Sequence, residues 1–231
     1  MKQITKKDIT KYLNFITNQP TGFIYKDSKM QKEKKIETKS NDYCYSKTGL
    51  LEQLYSKHKN CKKCPLSNLG KTQIVFGKGN PETKLMFVGE GPGRDEDLQG
   101  IPFVGRSGKL LTKIIEAMGL KREEVFISNV VKCRPPNNRA PLPNESEICK
   151  SSLLLKEIEI IKPKIICTLG ASAAQAILGP QTRISQARGN FFKFNNSLVM
   201  PTFHPAYLLR NPHAKKDVWK DMKKIMANLF N

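Results

Sequence analysis

Lys84-Leu85-Met86-Phe87-Val88-Gly89-Glu90-Gly91-Pro92-Gly93 is an apolar run that ends abruptly in a glycine-rich turn. The run is too short for a helix and has no polar alternation, so it reads as a strand buried on both faces. Ser107–Leu120 follows with Leu110, Leu111, Ile114, Ile115 and Met118 at helical spacing and Gly119 near its end. The same order then repeats. Val125–Val131 reads as a strand and Asn144–Ile161 as a helix, with Asn144 as N-cap and Glu147 three residues on in a capping-box variant. Lys164–Leu169 reads as a third strand, followed by Gly170 and an Ala-rich helix to Leu178. Ser197–Thr202 reads as a fourth strand, and Lys215–Phe230 as an amphipathic terminal helix. This alternation predicts an α/β fold, a three-layer α/β/α sandwich with a mostly parallel central sheet of about four strands. In such sheets ligands bind beyond the carboxyl ends of the strands. Gly89–Asp97, Asn129–Arg139 and His204–Pro212 all follow predicted strands, so they are expected to converge at one edge.

The 231-residue chain is long enough for one sizeable core plus a tail. Its net charge of +20 suits a polyanionic partner, though lysine that merely keeps a protein soluble gives the same total. Placement favours the partner. Between Ile160 and Lys216 there is no Asp or Glu, while Lys162, Lys164, Arg183, Arg188, Lys193, Arg210, Lys215 and Lys216 fall there. Such a stretch resembles a phosphate-facing surface, and Arg188 and Arg210 are its candidate DNA contacts. No apolar run is long enough to span a membrane, and Met1–Pro20 lacks the pattern of a secretory signal. A monomeric, cytoplasmic protein working at DNA and not at a membrane is the expectation.

Residues 1–50 read as a basic N-terminal extension. Short apolar patches at Tyr12–Ile16 and Phe23–Tyr25 flank a lysine run from Lys26 to Lys39, a solvated helix or a disordered linker. Residues 51–231 form the expected domain.

Without an export signal, six cysteines point to reduced thiols or metal ligands. Cys61 and Cys64 form a C-x2-C pair followed by Pro65, and Cys133 and Cys149 stand far downstream. A zinc ribbon calls for a second tight pair, which is absent. Dispersed thiolates with a Cys-Pro step favour a 4Fe–4S cluster over zinc, with four unrelated buried thiols as the third possibility. Cys44 is left out of this set, and Cys167 reads as a small core residue.

The Gly89–Gly93 turn fails as a dinucleotide loop because Arg94 breaks the glycine spacing and Asp95, Glu96 and Asp97 repel a pyrophosphate. Its glycines instead let backbone pass close to a flat ligand, which makes Gly89, Glu90 and Gly91 candidate contacts. Asn129, at a strand end, is either a turn former or an amide that donates and accepts along a pyrimidine edge. His204 opens a segment in which Leu208 and Arg210 are either structural or a wedge against a duplex.

The Gly89–Gly93 turn with Glu96-Asp97, the segment Gly100–Gly108, Asn129-Val-Val-Lys-Cys-Arg-Pro-Pro-Asn-Asn-Arg139 and His204-Pro-Ala-Tyr-Leu-Leu-Arg210 together resemble the family 4 uracil-DNA glycosylases. The resemblance runs from Leu51 to the C-terminus, and Cys61, Cys64, Cys133 and Cys149 match that family's 4Fe–4S ligands. It implies hydrolysis of the bond between uracil and deoxyribose in single- or double-stranded DNA. By the same resemblance Phe103 stacks on the flipped uracil, Asn129 bonds O4 and N3–H, and His204 donates to O2 as the uracil anion leaves. The Gly91 N–H contacts the base, while Leu208 and Arg210 wedge the duplex and hold phosphate. Two roles stay open for Glu90: activating water beside the cationic sugar, or excluding the methyl of thymine. In family 1 enzymes the catalytic Asp falls at the position of Gly91. Family 5 enzymes carry no polar residue at the position of Glu90. A relative that bonds covalently to DNA uses a His in a basic insertion, and Arg134–Pro143 has neither. The other class of function open to this chain is a non-catalytic DNA-binding protein with a structural or redox-sensing metal site.

Overall fold

The computed structural model describes residues 46–230. The lysine run and Cys44 lie outside the described residues. The helix α1 (Lys47–His58) is capped by Ser46, whose Oγ accepts from the Gly49 N–H at 3.1 Å. It starts upstream of the expected domain boundary at Leu51. Lys47 Nζ donates to the Ile161 carbonyl at 2.9 Å and Leu51 is buried, so these residues already belong to the compact unit.

The four expected strands form as β2 (Leu85–Gly89), β3 (Phe126–Asn129), β4 (Ile165–Leu169) and β6 (Ser197–Thr202). All four are parallel, and Gly89 stands opposite Asn129 at the carboxyl ends of β2 and β3. The sheet has six strands, not four. Two short antiparallel strands, β1 (Lys78–Gly79) and β5 (Phe192–Phe194), border it in the order β1-β3-β2-β4-β6-β5. An edge strand of two or three mostly exposed residues has no doubly buried apolar run, so its sequence carries no strand signal.

Alternate strand residues divide between two faces. Met86, Val88, Ile166 and Val199 join one core cluster with Leu51, Leu153, Leu154, Ile158, Ile161, Ala173 and Ile177. These come from α1, from a π-helical turn (Lys150–Leu154) that follows the helix α4 (Pro143–Cys149), from α5 (Leu155–Ile161) and from α6 (Ala171–Leu178). Leu85, Phe87, Ile127, Ile165, Cys167 and Met200, at the alternate positions, are also buried. So are Leu111, Ile114 and Ile115 of α3 (Arg106–Ala117) and Val218, Met222 and Ile225 of the terminal helix α9 (Lys215–Phe230). Cys167 is fully buried, as a core residue should be. Among the described residues no helix is long and apolar enough to cross a membrane.

The helix after β3 differs from its reading. Leu142, not Asn144, is the N-cap, because Pro143 with its preset φ takes the first helical position. Glu145 closes the box by accepting from the Leu142 N–H at 2.7 Å, and Glu147 pairs with Lys150. A π-helical turn over Lys150–Leu154 joins α4 to α5 directly after Cys149.

Candidate active site and cysteine pocket

A cavity of about 560 Å³ opens at the carboxyl edge of the sheet. Each parallel strand supplies a lining residue: Glu90 after β2, Asn129 at the end of β3, Leu169 at the end of β4 and His204 after β6. β2 is flanked by β3 on one side and β4 on the other, so the chain reverses its direction of growth across the sheet there. A crevice forms at such a switch point because successive connections leave toward opposite faces. The three segments expected to converge do so, with Gly91, Gly93, Asn138, Arg139, Tyr207 and Arg210 among the lining residues.

Asn129 is 1% exposed, and its Oδ1 is a buried acceptor with no hydrogen-bond partner in the protein. Leaving such an atom unpaired costs roughly 1–3 kcal/mol. It is therefore poised for a donor from a ligand. Gly89 makes room for it. A Cβ on Gly89 would lie 2.5 Å from Asn129 Oδ1 and collide with the Phe103 ring. Phe103 is 5% exposed and lines the cavity, with its ring centroid 5.6 Å from that of His204. Its φ of 55° is in the left-handed region, uncommon for a bulky residue and maintained only by strong local restraint. That restraint is visible. The buried Glu96 carboxylate accepts from the N–H groups of Val104 at 2.9 Å and Gly105 at 2.8 Å, and Arg122 donates to the Pro102 carbonyl at 2.5 Å. Glu96 also accepts from Gly93 N at 3.1 Å, joining the glycine turn to the Phe103 loop.

His204 caps α8 (Pro205–Arg210), its Nδ1 accepting from the Ala206 N–H at 3.1 Å. With Nδ1 an acceptor, the neutral ring carries its hydrogen on Nε2. Burial lowers its pKa to about 4, with the positive charge of Arg210 acting in the same direction. The ring is thus a neutral donor at physiological pH. Glu90 is held by Ser172 in the first turn of α6, whose hydroxyl donates to its carboxylate. Ser172 carried no sequence signal beyond its place after a strand-end glycine.

Two expected DNA contacts are corrected. Leu208 is fully buried, because the α8 turn faces it into the domain, so it offers no wedge; Tyr207 and Leu209 are the exposed apolar residues of that turn, at 38% and 39%. Arg188 is committed internally, donating to both Asp221 carboxylate oxygens at 2.8 and 2.9 Å and lying 5.1 Å from the centre of the Phe203 ring. Asp221 comes from α9, outside the carboxylate-free stretch. Arg210 lines the cavity beside Arg139, whose guanidinium makes a bidentate pair with Glu145 at 2.7 and 2.8 Å.

Cys61, Cys64, Cys133 and Cys149 line a second, separate cavity with Ile74, Ile148 and Leu153, and no Asp, Glu or His joins them. All four are free thiols. Burial, and then the neighbouring Cys149, pushes the Cys133 thiol up to about 12. Burial pushes Cys149 up to about 11 against the lowering influence of Lys132. Buried sulfurs that repel one another as thiolates suit a shared cationic centre, which favours their ionised form. The Lys132 N–H already donates to Cys149 Sγ at 3.3 Å.

The model of the uracil DNA glycosylase superfamily matches residues 76–223, from β1's approach to α9. The chain is 48% identical over 169 residues to the type-4 uracil-DNA glycosylase of Thermotoga maritima, covering 72% of this chain and 87% of that protein. To the type-4 uracil-DNA glycosylase of Archaeoglobus fulgidus it is 43% identical over 183 residues, 76% of this chain and 91% of the relative. The chain belongs to the type-4 branch of the uracil-DNA glycosylase superfamily. A type-5 uracil-DNA glycosylase of Pyrobaculum aerophilum is more distant, at 29% identity over 62% of this chain and 65% of its own length. The superfamily match takes in every lining residue of the large cavity, from Glu90 to Arg210, together with Cys133 and Cys149.

Proposed function

We infer that the chain is a uracil-DNA glycosylase, and that the cavity at the sheet edge is where uracil leaves DNA. The observation that carries this reading is the buried, unpartnered Oδ1 of Asn129 in one cavity with Phe103 and a neutral His204. A uracil flipped from the stack offers O4 as acceptor and N3–H as donor. Asn129 answers with an amide N–H and the unpaired Oδ1. Cytosine offers an amino donor and a bare N3 in the reverse sense, so an Asn held in this orientation rejects it. Phe103 forms the face on which the base stacks. Gly91 lines the same cavity, and its N–H would contact the base.

In the reaction the bond between N1 and the sugar C1′ breaks, its electron pair stays on uracil, and water supplies the new C1′–O bond. Charge develops on uracil O2, where the Nε2–H of His204 donates most strongly in the transition state. Glu90, held by Ser172 at the cavity wall, would steady the cationic sugar and position water, or exclude the methyl of thymine. Arg210 holds phosphate at the rim.

The four cysteines fit an iron–sulfur cluster better than a single ion. The four thiols line one cavity with no Asp, Glu or His among its lining residues, and they come from a single C-x2-C pair and two dispersed positions where a zinc ribbon has a second tight pair. Cys61, Cys64, Cys133 and Cys149 would hold a 4Fe–4S cluster. Bound there, such a cluster would cross-link the segments that carry Cys61 and Cys64, Cys133 and Cys149.

Incubating the protein with a uracil-containing oligonucleotide and then alkali tests the activity. Strand breakage at uracil is expected. Gel retardation without breakage would make the chain a non-catalytic DNA-binding protein.

A further inference from the structure

One charged pair in the domain is sealed from water and plays no part in the chemistry above. Lys132 and Glu157 pair at 2.7 Å with side chains 1% and 0% exposed. Burying two charges costs more than most ion pairs return, and apolar residues of the same size often hold a fold as well. The sequence shows the same anomaly. Lys132 follows the apolar Val130-Val131, and Glu157 stands one helical turn from Leu153 and from Ile161, on the buried face.

The bonds of this pair run toward the base pocket. Lys132 Nζ donates to the Asn129 backbone carbonyl at 2.8 Å and to Ser128 Oγ at 2.5 Å, while Ser128 Oγ donates to Glu157 Oε2 at 2.6 Å. Glu157 is held in turn from the α1 side, where Tyr55 OH donates to Oε1 at 2.9 Å and the Gly77 N–H donates at 3.2 Å. Toward the other side, the N–H of Lys132 donates to Cys149 Sγ at 3.3 Å, and its next residue is Cys133. The Lys132 ammonium therefore ties the end of β3, where the pocket amide begins, to α5, and the backbone N–H of the same residue reaches the cysteine cavity.

We propose that Lys132 and Glu157 are positioning residues for uracil recognition: the pair pins the Asn129 carbonyl at the end of β3, sets the register of its side-chain amide in the cavity, and couples that register to the cysteine-bearing segment. This rests on the glycosylase reading above. A misplacement of about 1 Å in such a contact costs on the order of 10²-fold in rate.

The test is the double variant Lys132→Met/Glu157→Leu, which removes both charges and leaves neither unpaired. Melting temperature, iron content, DNA affinity, single-turnover uracil release and inhibition by free uracil are measured on it and on the wild type. Expected are near-wild-type melting, iron and DNA affinity, with at least about tenfold slower release and at least about tenfold weaker inhibition by uracil. A folded double variant with wild-type release and wild-type uracil inhibition overturns the proposal. So does one whose release falls only in step with its melting temperature while uracil inhibition stays intact. Should the double variant not fold, Glu157→Gln, which keeps the shape of the pair, is read the same way. Several-fold weaker uracil inhibition at unchanged DNA affinity supports the proposal, and unchanged inhibition overturns it. A wild type that releases no uracil at all sinks the glycosylase reading itself, whereas wild-type release with an indifferent double variant sinks only this proposal.

Discussion

His204 illustrates how a single bond assigns a role. The Ala206 N–H occupies Nδ1, so the hydrogen must sit on Nε2, and burial keeps the ring neutral down to about pH 4. His204→Ala is expected to slow single-turnover release by on the order of 10²–10³-fold while leaving DNA affinity nearly unchanged. The pH profile follows from the lowered pKa. No inflexion from His204 is expected near its ordinary value of about 6.5, and an inflexion there that vanishes in His204→Gln would contradict the neutral-donor role. The linked stability has the corresponding sign. The native state favours the neutral ring, so this contribution is complete above the ordinary histidine value and is lost as pH falls toward about 4. Asn129→Asp replaces the donor to O4 with an acceptor and should weaken uracil release while permitting some cytosine release, checked by paired uracil and cytosine oligonucleotides. Asn129, Phe103 and His204 could be named from residue type and resemblance, but the unpaired Oδ1, the left-handed φ of Phe103 and the histidine tautomer are products of the folded surroundings.

Glycines and helix turns determine how these groups are presented. Gly89→Ala adds a Cβ 2.5 Å from Asn129 Oδ1 and into the Phe103 ring, so it should abolish uracil release without removing any functional group. Free uracil should no longer inhibit, and DNA binding should persist. The basic stretch behaves differently at its two arginines. Arg210 lines the cavity, and Arg210→Ala should weaken binding to plain and uracil-containing DNA alike, flattening the salt dependence by about one phosphate contact. Arg188→Ala should leave that slope unchanged and instead destabilise the fold by about 2 kcal/mol, because it strands the buried Asp221. Titrating both variants against salt, with a melting curve for each, separates the two outcomes. The sequence pointed to both arginines equally, since Asp221 lies beyond the stretch that lacks carboxylates. Leu208 was misread for a related reason. In a six-residue helix the buried face is set by what packs against it, and Tyr207 and Leu209 take the exposed positions.

The domain holds two cavities, one at the carboxyl edge of the sheet and one lined by four cysteines. Anaerobically purified protein should be brown with about four irons per chain, and stoichiometric zinc without visible absorption would reject the cluster. Cys133→Ala should lower the yield of folded protein more than it changes the pocket chemistry of what does fold, as measured by soluble yield and rate per folded molecule. The extension at residues 1–45 is assigned no part in chemistry, so its deletion should leave single-turnover release intact and weaken DNA binding mainly at low salt, where its lysines act.

The chain alone determined the four parallel strands, the helices between them and the segments that meet at their ends. Apolar runs and helical periodicity are local, and a parallel sheet needs doubly buried strands that stand out from everything else. It also singled out, by residue type and spacing, the four cysteines that the fold brings to one cavity. Tertiary structure decided the rest. The edge strands β1 and β5 exist only because a neighbour offers its free hydrogen bonds. The partners of Arg188 and Lys132 come from residues 33 and 25 positions away, and the burial of Leu208 depends on packing across the domain. Charge pairing and exposure are properties of what lies nearby in space, and sequence distance carries little information about that.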